Sequence, residues 1–137
     1  MKDKIFIDTN LLVYLYGTGE KSIIIEKIIN KYFYVITLST QVLGELYNVL
    51  TRRKMTSKDE ARKIVIGLIE NFHVVNHNEF SVLSAIEINL KYGYSYWDSM
   101  IIVSAMENDC RYLYSEDMQN YQTINGKLTI TNPYLLK

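Results

Sequence analysis

Four acidic side chains, Asp8, Glu45, Asp98 and Asp117, stand in settings where proteins do chemistry. Asp8 ends the apolar run Ile5-Phe6-Ile7 and precedes an amphipathic pattern, so a buried strand gives way to a helix at this carboxylate. In open α/β sheets that boundary is where ligands bind. Glu45 has Val42, Leu46 and Val49 at i−3, i+1 and i+4, which places it within the apolar stripe of a helix. A carboxylate buried there costs several kcal/mol unless it is paired or bound to a cation. Asp98 is followed by Ile101, Ile102 and Ala105 at i+3, i+4 and i+7 and points along a second buried stripe. Asp117 follows the strand-like run Arg111–Tyr114, a second acid at a strand end. Four carboxylates meeting at one edge of one sheet would repel one another unless something positive stood between them. A hard divalent cation answers that need, and its chemistry is to acidify bound water and steady developing charge. All-oxygen ligands suit Mg²⁺ or Mn²⁺ rather than zinc, which prefers His and Cys.

Each acid also has a structural use. Asp is a favoured N-cap, so Asp8 can cap the helix that follows it. Glu45 can pair with Arg52, two turns further along the same helix. Ser95-Tyr96-Trp97-Asp98 is a Ser-x-x-Asp variant of the capping box, a role compatible with metal binding. Asp117 can be a turn residue, and Glu116 beside it competes as the acid that matters. His73 and His77 share no helical face and are expected to be structural or surface residues. Cys110 stands in no nucleophile motif, and no Ser-His-Asp grouping suggests a covalent route.

Strand-like runs at Lys4–Ile7, Phe33–Leu38, His73–Val75, Arg111–Tyr114 and Leu128–Thr131 must position these side chains. Between them lie helical patterns: Ile25, Ile28, Ile29 and Tyr32, then Val42, Leu46, Val49 and Leu50. Ser57-Lys58-Asp59-Glu60 is a capping box opening a helix through Leu68 and Ile69. Val82, Ile86 and Leu90, then Ile101, Ile102 and Ala105, mark two more. Strands alternating with helices predict an α/β fold, a parallel sheet flanked on both faces by helices. A chain of 137 residues fits one domain, 1–137, with enough core to dispense with disulfides. The lone Cys110 excludes an internal disulfide and suits a reducing compartment. Met1-Lys2-Asp3-Lys4 runs into the first strand without room for a signal peptide, and no apolar stretch reaches the ~20 residues of a membrane span. A cytoplasmic protein that engages no membrane is expected. Net charge is zero, so any nucleic-acid partner would be held by a local basic patch or through metal. Arg52, Arg53, Lys54, Lys58, Arg62 and Lys63 form one such cluster, with a solvated surface as its simpler explanation.

The ordered motifs resemble the PIN-domain nucleases, in particular the toxins of VapBC-type toxin–antitoxin pairs. Asp8-Thr9-Asn10 is similar to the family's opening strand end, and Ser39-Thr40-Gln41-Val42-Leu43-Gly44-Glu45 to its helical glutamate. Tyr96-Trp97-Asp98-Ser99 resembles the aromatic-Asp helix start, and Ser115-Glu116-Asp117 the last acid. The resemblance implies a three-layer α/β/α sandwich around a central parallel sheet. It also implies an acidic Mg²⁺ or Mn²⁺ site made by Asp8, Glu45, Asp98 and Asp117, with Thr9, Asn10 and Ser115 in support. Metal-assisted hydrolysis of RNA phosphodiesters would be its activity, and Arg52 and Arg53 would contact substrate phosphates. Partners implied in the same way are a cognate antitoxin and a second copy of the chain. A housekeeping RNA-processing nuclease without an antitoxin, or a non-catalytic RNA- or protein-binding module, are the alternatives. The chain departs from the toxins after the last acid, where Asn120–Gly126 carries its glycine late and leaves the shape of that rim loop open.

Overall fold

The computed structural model describes residues 3–135; Met1 and Lys2, on which the expectation about a signal peptide partly falls, and Leu136 and Lys137 lie outside the described residues. Along the chain run β1 (Ile5–Ile7), α1 (Thr9–Leu15), α2 (Glu20–Lys31), β2 (Ile36–Ser39), α3 (Thr40–Arg52), α4 (Lys58–Asn71), β3 (His73–Val75), α5 (Glu79–Tyr92), α6 (Tyr96–Glu107), β4 (Tyr112–Tyr114), β5 (Thr123–Ile124) and β6 (Leu128–Thr131). The sheet order is β3-β2-β1-β4-β6-β5. Strands β3, β2, β1, β4 and β6 pair in parallel, and only β5 runs antiparallel, against β6.

Short polar side chains set most of the strand-to-helix and loop-to-helix boundaries. Asp8 is extended and its carboxylate accepts from the Thr9 N–H at the start of α1. Ser39 caps α3 by accepting from the Val42 N–H at 3.3 Å, and Ser57 caps α4 by accepting from Glu60 at 3.1 Å. Asn78 and Ser81 form a reciprocal capping box at α5, which Gly93 ends at φ 80°, a left-handed conformation that favours glycine. Each cap satisfies a backbone donor that the first helical turn leaves free.

Parallel connections are almost always right-handed. The steps β1 to β2 and β2 to β3 move one way across the sheet, so α1–α4 cover one face. The step from β3 back to β4 moves the other way, so α5 and α6 cover the other. The result is the expected three-layer α/β/α sandwich. Its core is built on Phe6, Leu11, Leu38, Leu46, Ile102 and Leu113, all with essentially no solvent contact.

Three details differ from the periodicity. The run Phe33–Leu38 is not all strand: Phe33–Val35 make a 3₁₀ turn and the strand begins at Ile36, because Tyr34 faces solvent while Ile36 and Leu38 are buried. The segment after the last acid returns as a hairpin. Asn125 and Gly126 both adopt positive φ (50° and 68°), and the Lys127 N–H donates to the Ile124 carbonyl at 3.0 Å. Asn-Gly is the preferred pair for that left-handed turn, so the late glycine makes β5 rather than an open rim loop. Third, Val82, Ile86 and Leu90 of α5 face outward, and Ser81, Ala85 and Ile88 face inward. The helix carries apolar residues on both its outward and its inward side, and it packs against α6.

That arrangement predicts opposite outcomes for one chemical change at two leucines. Leu46→Ala should cost about 2–5 kcal/mol through lost burial and the cavity left behind. Leu90→Ala, at a side chain 73% exposed, should stay within about 0.5 kcal/mol. Urea unfolding of both variants measures the difference, and equal losses would contradict the outward face of α5.

Candidate metal centre

Strand β1 lies between β2 and β4, and the chain leaves it in one direction and returns on its other side. Its carboxyl end is therefore the point at which the strand order reverses, where α/β sheets open a crevice. Asp8 occupies that end. Its backbone N–H donates to the Tyr114 carbonyl at 3.0 Å, which ties it to the end of β4. The Asp8 carboxylate accepts from the Thr9 N–H at 2.7 Å and from the Ser115 hydroxyl at 2.9 Å. Asp8, Thr9 and Ser115 are all buried. The capping role and the site role of Asp8 thus coexist.

The other acids come to the same rim from three further segments. Glu45, on α3, accepts from the Thr9 hydroxyl at 3.3 Å and from the Gln41 amide at 2.6 Å. It is exposed, which corrects its placement within a buried stripe. The stripe of α3 runs past the edge of the sheet there, so Val42 and Leu46 bury while Glu45 overhangs the rim. Arg52 forms no ion pair with it among the described residues. Asp98 lies in the first turn of α6, half-buried, with its N–H capped by Ser95 at 3.1 Å. Asp117, in the loop after β4, accepts from the Asn10 amide of α1. Glu116 turns elsewhere: it binds Lys21 at 2.8 Å and accepts from the Tyr14 hydroxyl at 2.9 Å. Of the two neighbouring acids, Asp117 is the one aimed at the rim.

Electrostatics show how tightly the acids share this space. The carboxyl of Asp8 is pushed up from 3.8 to about 6, chiefly by burial and further by the charges of Asp98 and Glu45. The hydrogen bonds from Thr9 and Ser115 oppose that rise without cancelling it. Asp98 is raised too, by burial first and then by Asp117 and Glu45, with Ser95 opposing. Among the described residues no lysine or arginine pairs with any of these four acids. No three acidic, His or Cys side chains among them close tightly enough to form a finished metal cage. The donor set fits a hard cation, being all oxygen, anionic and free of competing positive charge.

Sequence reasoning missed Gln41 and Lys21. Gln41 precedes Glu45 by one helical turn, and that spacing was a usable signal. Lys21 and Glu116 are 95 residues apart, and only the fold joins them. Arg52 and Arg53 end α3 exposed, without ion pairs among the described residues. Arg62 and Lys63 of the same basic cluster instead share Asp59, at 2.5 and 3.4 Å. Neither His73 nor His77 joins the acids; the His77 ring lies 3.3 Å from the Ser104 hydroxyl. A cleft of about 650 Å³ between α3 and α4 is lined by none of the four acids.

A carboxyl whose folded pKa lies above its unfolded value holds its proton more tightly when folded. The stability this gives Asp8 is complete below about pH 4 and drains away as pH rises through about 6. At pH 7 the ionised group therefore costs the metal-free fold on the order of 3 kcal/mol, at ~1.36 kcal/mol per pH unit. Asp8→Asn keeps an oxygen for the Thr9 N–H and removes the charge. The chelator-treated variant should melt higher than wild type at pH 7, with a flatter profile between pH 4 and 7. Thermal melts across that range check this, and an unchanged pH slope would contradict it.

The PIN domain family model matches residues 5–123. A search of curated protein sequences finds no match. Several solved structures share the fold. VapC20 of Mycobacterium tuberculosis, described as a sarcin–ricin loop cleaving toxin, superposes with a TM-score of 0.70 at 20% identity, covering 83% of this chain and 90% of that one. A toxin–antitoxin complex from Klebsiella pneumoniae gives 0.75 at 14% identity, covering 97% of this chain and 100% of the other. DNA-bound VapBC from Salmonella typhimurium gives 0.70 at 16% identity, with 94% and 98% covered. With the family pattern spanning nearly the whole chain and the sheet, rim and acids arranged as described, the protein belongs to the PIN domain family.

Proposed function

We propose that this chain is a metal-dependent endoribonuclease, a single PIN-like domain that serves as the toxin of a toxin–antitoxin pair. The observation that carries the proposal is the gathering of Asp8, Glu45, Asp98 and Asp117 toward the reversal point of the sheet, with no lysine or arginine paired to them among the described residues. Family membership and the likeness to VapC20 and to toxin–antitoxin complexes support it. Asp8, Glu45, Asp98 and Asp117 would hold Mg²⁺ or Mn²⁺. When bound, such an ion acidifies water and neutralises charge growing on a phosphate.

The chain's own residues supply the rest. Ser115 and the Thr9 N–H fix the orientation of Asp8, and Asn10 fixes that of Asp117. Thr9 and Gln41 hold Glu45, whose exposed carboxylate would take the proton of an attacking water as general base. Arg52 lies ~10 Å along the helix from Glu45, a distance suited to a neighbouring phosphate, and Arg53 extends the same positive edge. The apolar outer faces of the helices would receive a cognate antitoxin or a second copy of the chain. No helix of the described residues is long and apolar enough to cross a membrane.

Cleavage of single-stranded RNA by wild type in Mn²⁺ tests the proposal. Asp8→Asn, Asp98→Asn and Asp117→Asn should each lower the rate by roughly hundredfold or more. Glu116→Gln, which loosens only the contacts to Lys21 and Tyr14, should stay within about tenfold. Full cleavage by Asp98→Asn would refute the site. Mn²⁺ at about a hundred times its Kd should raise the melting temperature of wild type by on the order of 10 °C and leave Asp8→Asn nearly unmoved.

A further inference from the structure

Trp97 is the chain's only tryptophan. Burying so large a ring is ordinarily favourable, yet it stands 65% exposed in the first turn of α6, next to Asp98. The ring is held in place all the same. Tyr96 packs edge-on against it, with centroids 5.0 Å apart at 77°. Gln41 donates to the Trp97 carbonyl at 3.2 Å through the amide nitrogen that also holds Glu45. Gln41, Glu45 and Trp97 together line a cleft of about 390 Å³, within the ~300–1,000 Å³ span of small-ligand sites.

The chemistry of these walls selects an occupant. A phosphate is repelled by Glu45 and finds no cationic side chain among the three lining residues. A flat neutral group can lie on the indole face and offer N–H donors to the polar wall. The Gln41 amide must point its nitrogen at two acceptors, and its buried Oε1 is left without a donor among the described residues. An unpaired nucleobase has the required face and the required edge. We infer that Trp97 is a stacking platform for one unpaired base of the substrate strand, seated beside Glu45 so that the adjoining phosphodiester faces the acids. A paired base, already stacked within a duplex, cannot take this place, so the platform confers a preference for single-stranded RNA. The inference rests on the nuclease reading for its substrate.

Because Trp97 is the sole indole, its fluorescence reports this cleft alone. Single-stranded oligoribonucleotide added to Asp8→Asn, which should bind without cutting, should quench the emission to saturation, and the matching duplex should not. On wild-type background, Trp97→Ala should raise KM for single-stranded RNA by roughly ten- to hundredfold with kcat within a few-fold, and Trp97→Phe should recover most of that loss. Quenching without cleavage by wild type would support the platform while removing the nuclease reading. Binding and cleavage with silent fluorescence and an unchanged KM for Trp97→Ala would overturn the platform alone. Emission that follows protein concentration but not RNA would assign the ring to an interface between copies and overturn the inference. Absence of any RNA binding would overturn both.

Discussion

Negative charge gathered at one rim, with no pairing cation among the described residues, is the constraint around which this molecule is organised. Four basic side chains pair with acids elsewhere on the molecule instead. Lys21 pairs with Glu116, Arg62 and Lys63 with Asp59, and Arg111 with Asp3. The rim acids are instead held by hydroxyls, amides and one backbone N–H. Neutral donors fix where a carboxylate points while leaving most of its charge unspent. An arginine in their place would stabilise the apo fold and occupy the position of a bound ion. Burial first, and then the neighbouring acids, hold the carboxyls of Asp8 and Asp98 above their ordinary range.

The parallel sheet makes the arrangement possible. In such a sheet every strand ends on the same edge, and the helices that run back over it begin on that edge. Glu45 on α3 and Asp98 in the first turn of α6 belong to helices that start there. The N-terminal dipole of α6 favours the charge of Asp98 by about 0.3–1 kcal/mol. That partial compensation falls well short of neutralising four acids. Beneath them, Phe6 and Leu113 on adjacent strands are fully buried, so the platform carrying Asp8 and Ser115 has little room to move.

The legible part of this architecture was local. Asp8 could be placed because strand, cap and helix are consecutive, and the alternation of elements was enough to forecast the sandwich. Glu45 was assigned to a buried stripe because hydrophobic period tells which face of a helix is apolar and not where the sheet beneath it stops. α5 defeated periodicity altogether, since Val82, Ile86 and Leu90 are as apolar as its inward residues and only packing against α6 chose between them. Asn125-Gly126 carried its turn signal openly, but a hairpin needs two strands to be recognised and β5 is two residues long. The tie between Lys21 and Glu116, which decides between Glu116 and Asp117, has no local trace at all. Residues joined only by the closing of the sheet leave no period or spacing to read.

The central claim concerns position, so a position is what should be measured. Crystals soaked in Mn²⁺ and recorded at a wavelength where manganese scatters anomalously locate the ion independently of any activity. The account predicts one or more strong peaks bounded by the carboxylates of Asp8 and Asp98, within reach of Glu45 and Asp117. A well-soaked crystal with no peak at this rim, or with its peak elsewhere on the molecule, would contradict it.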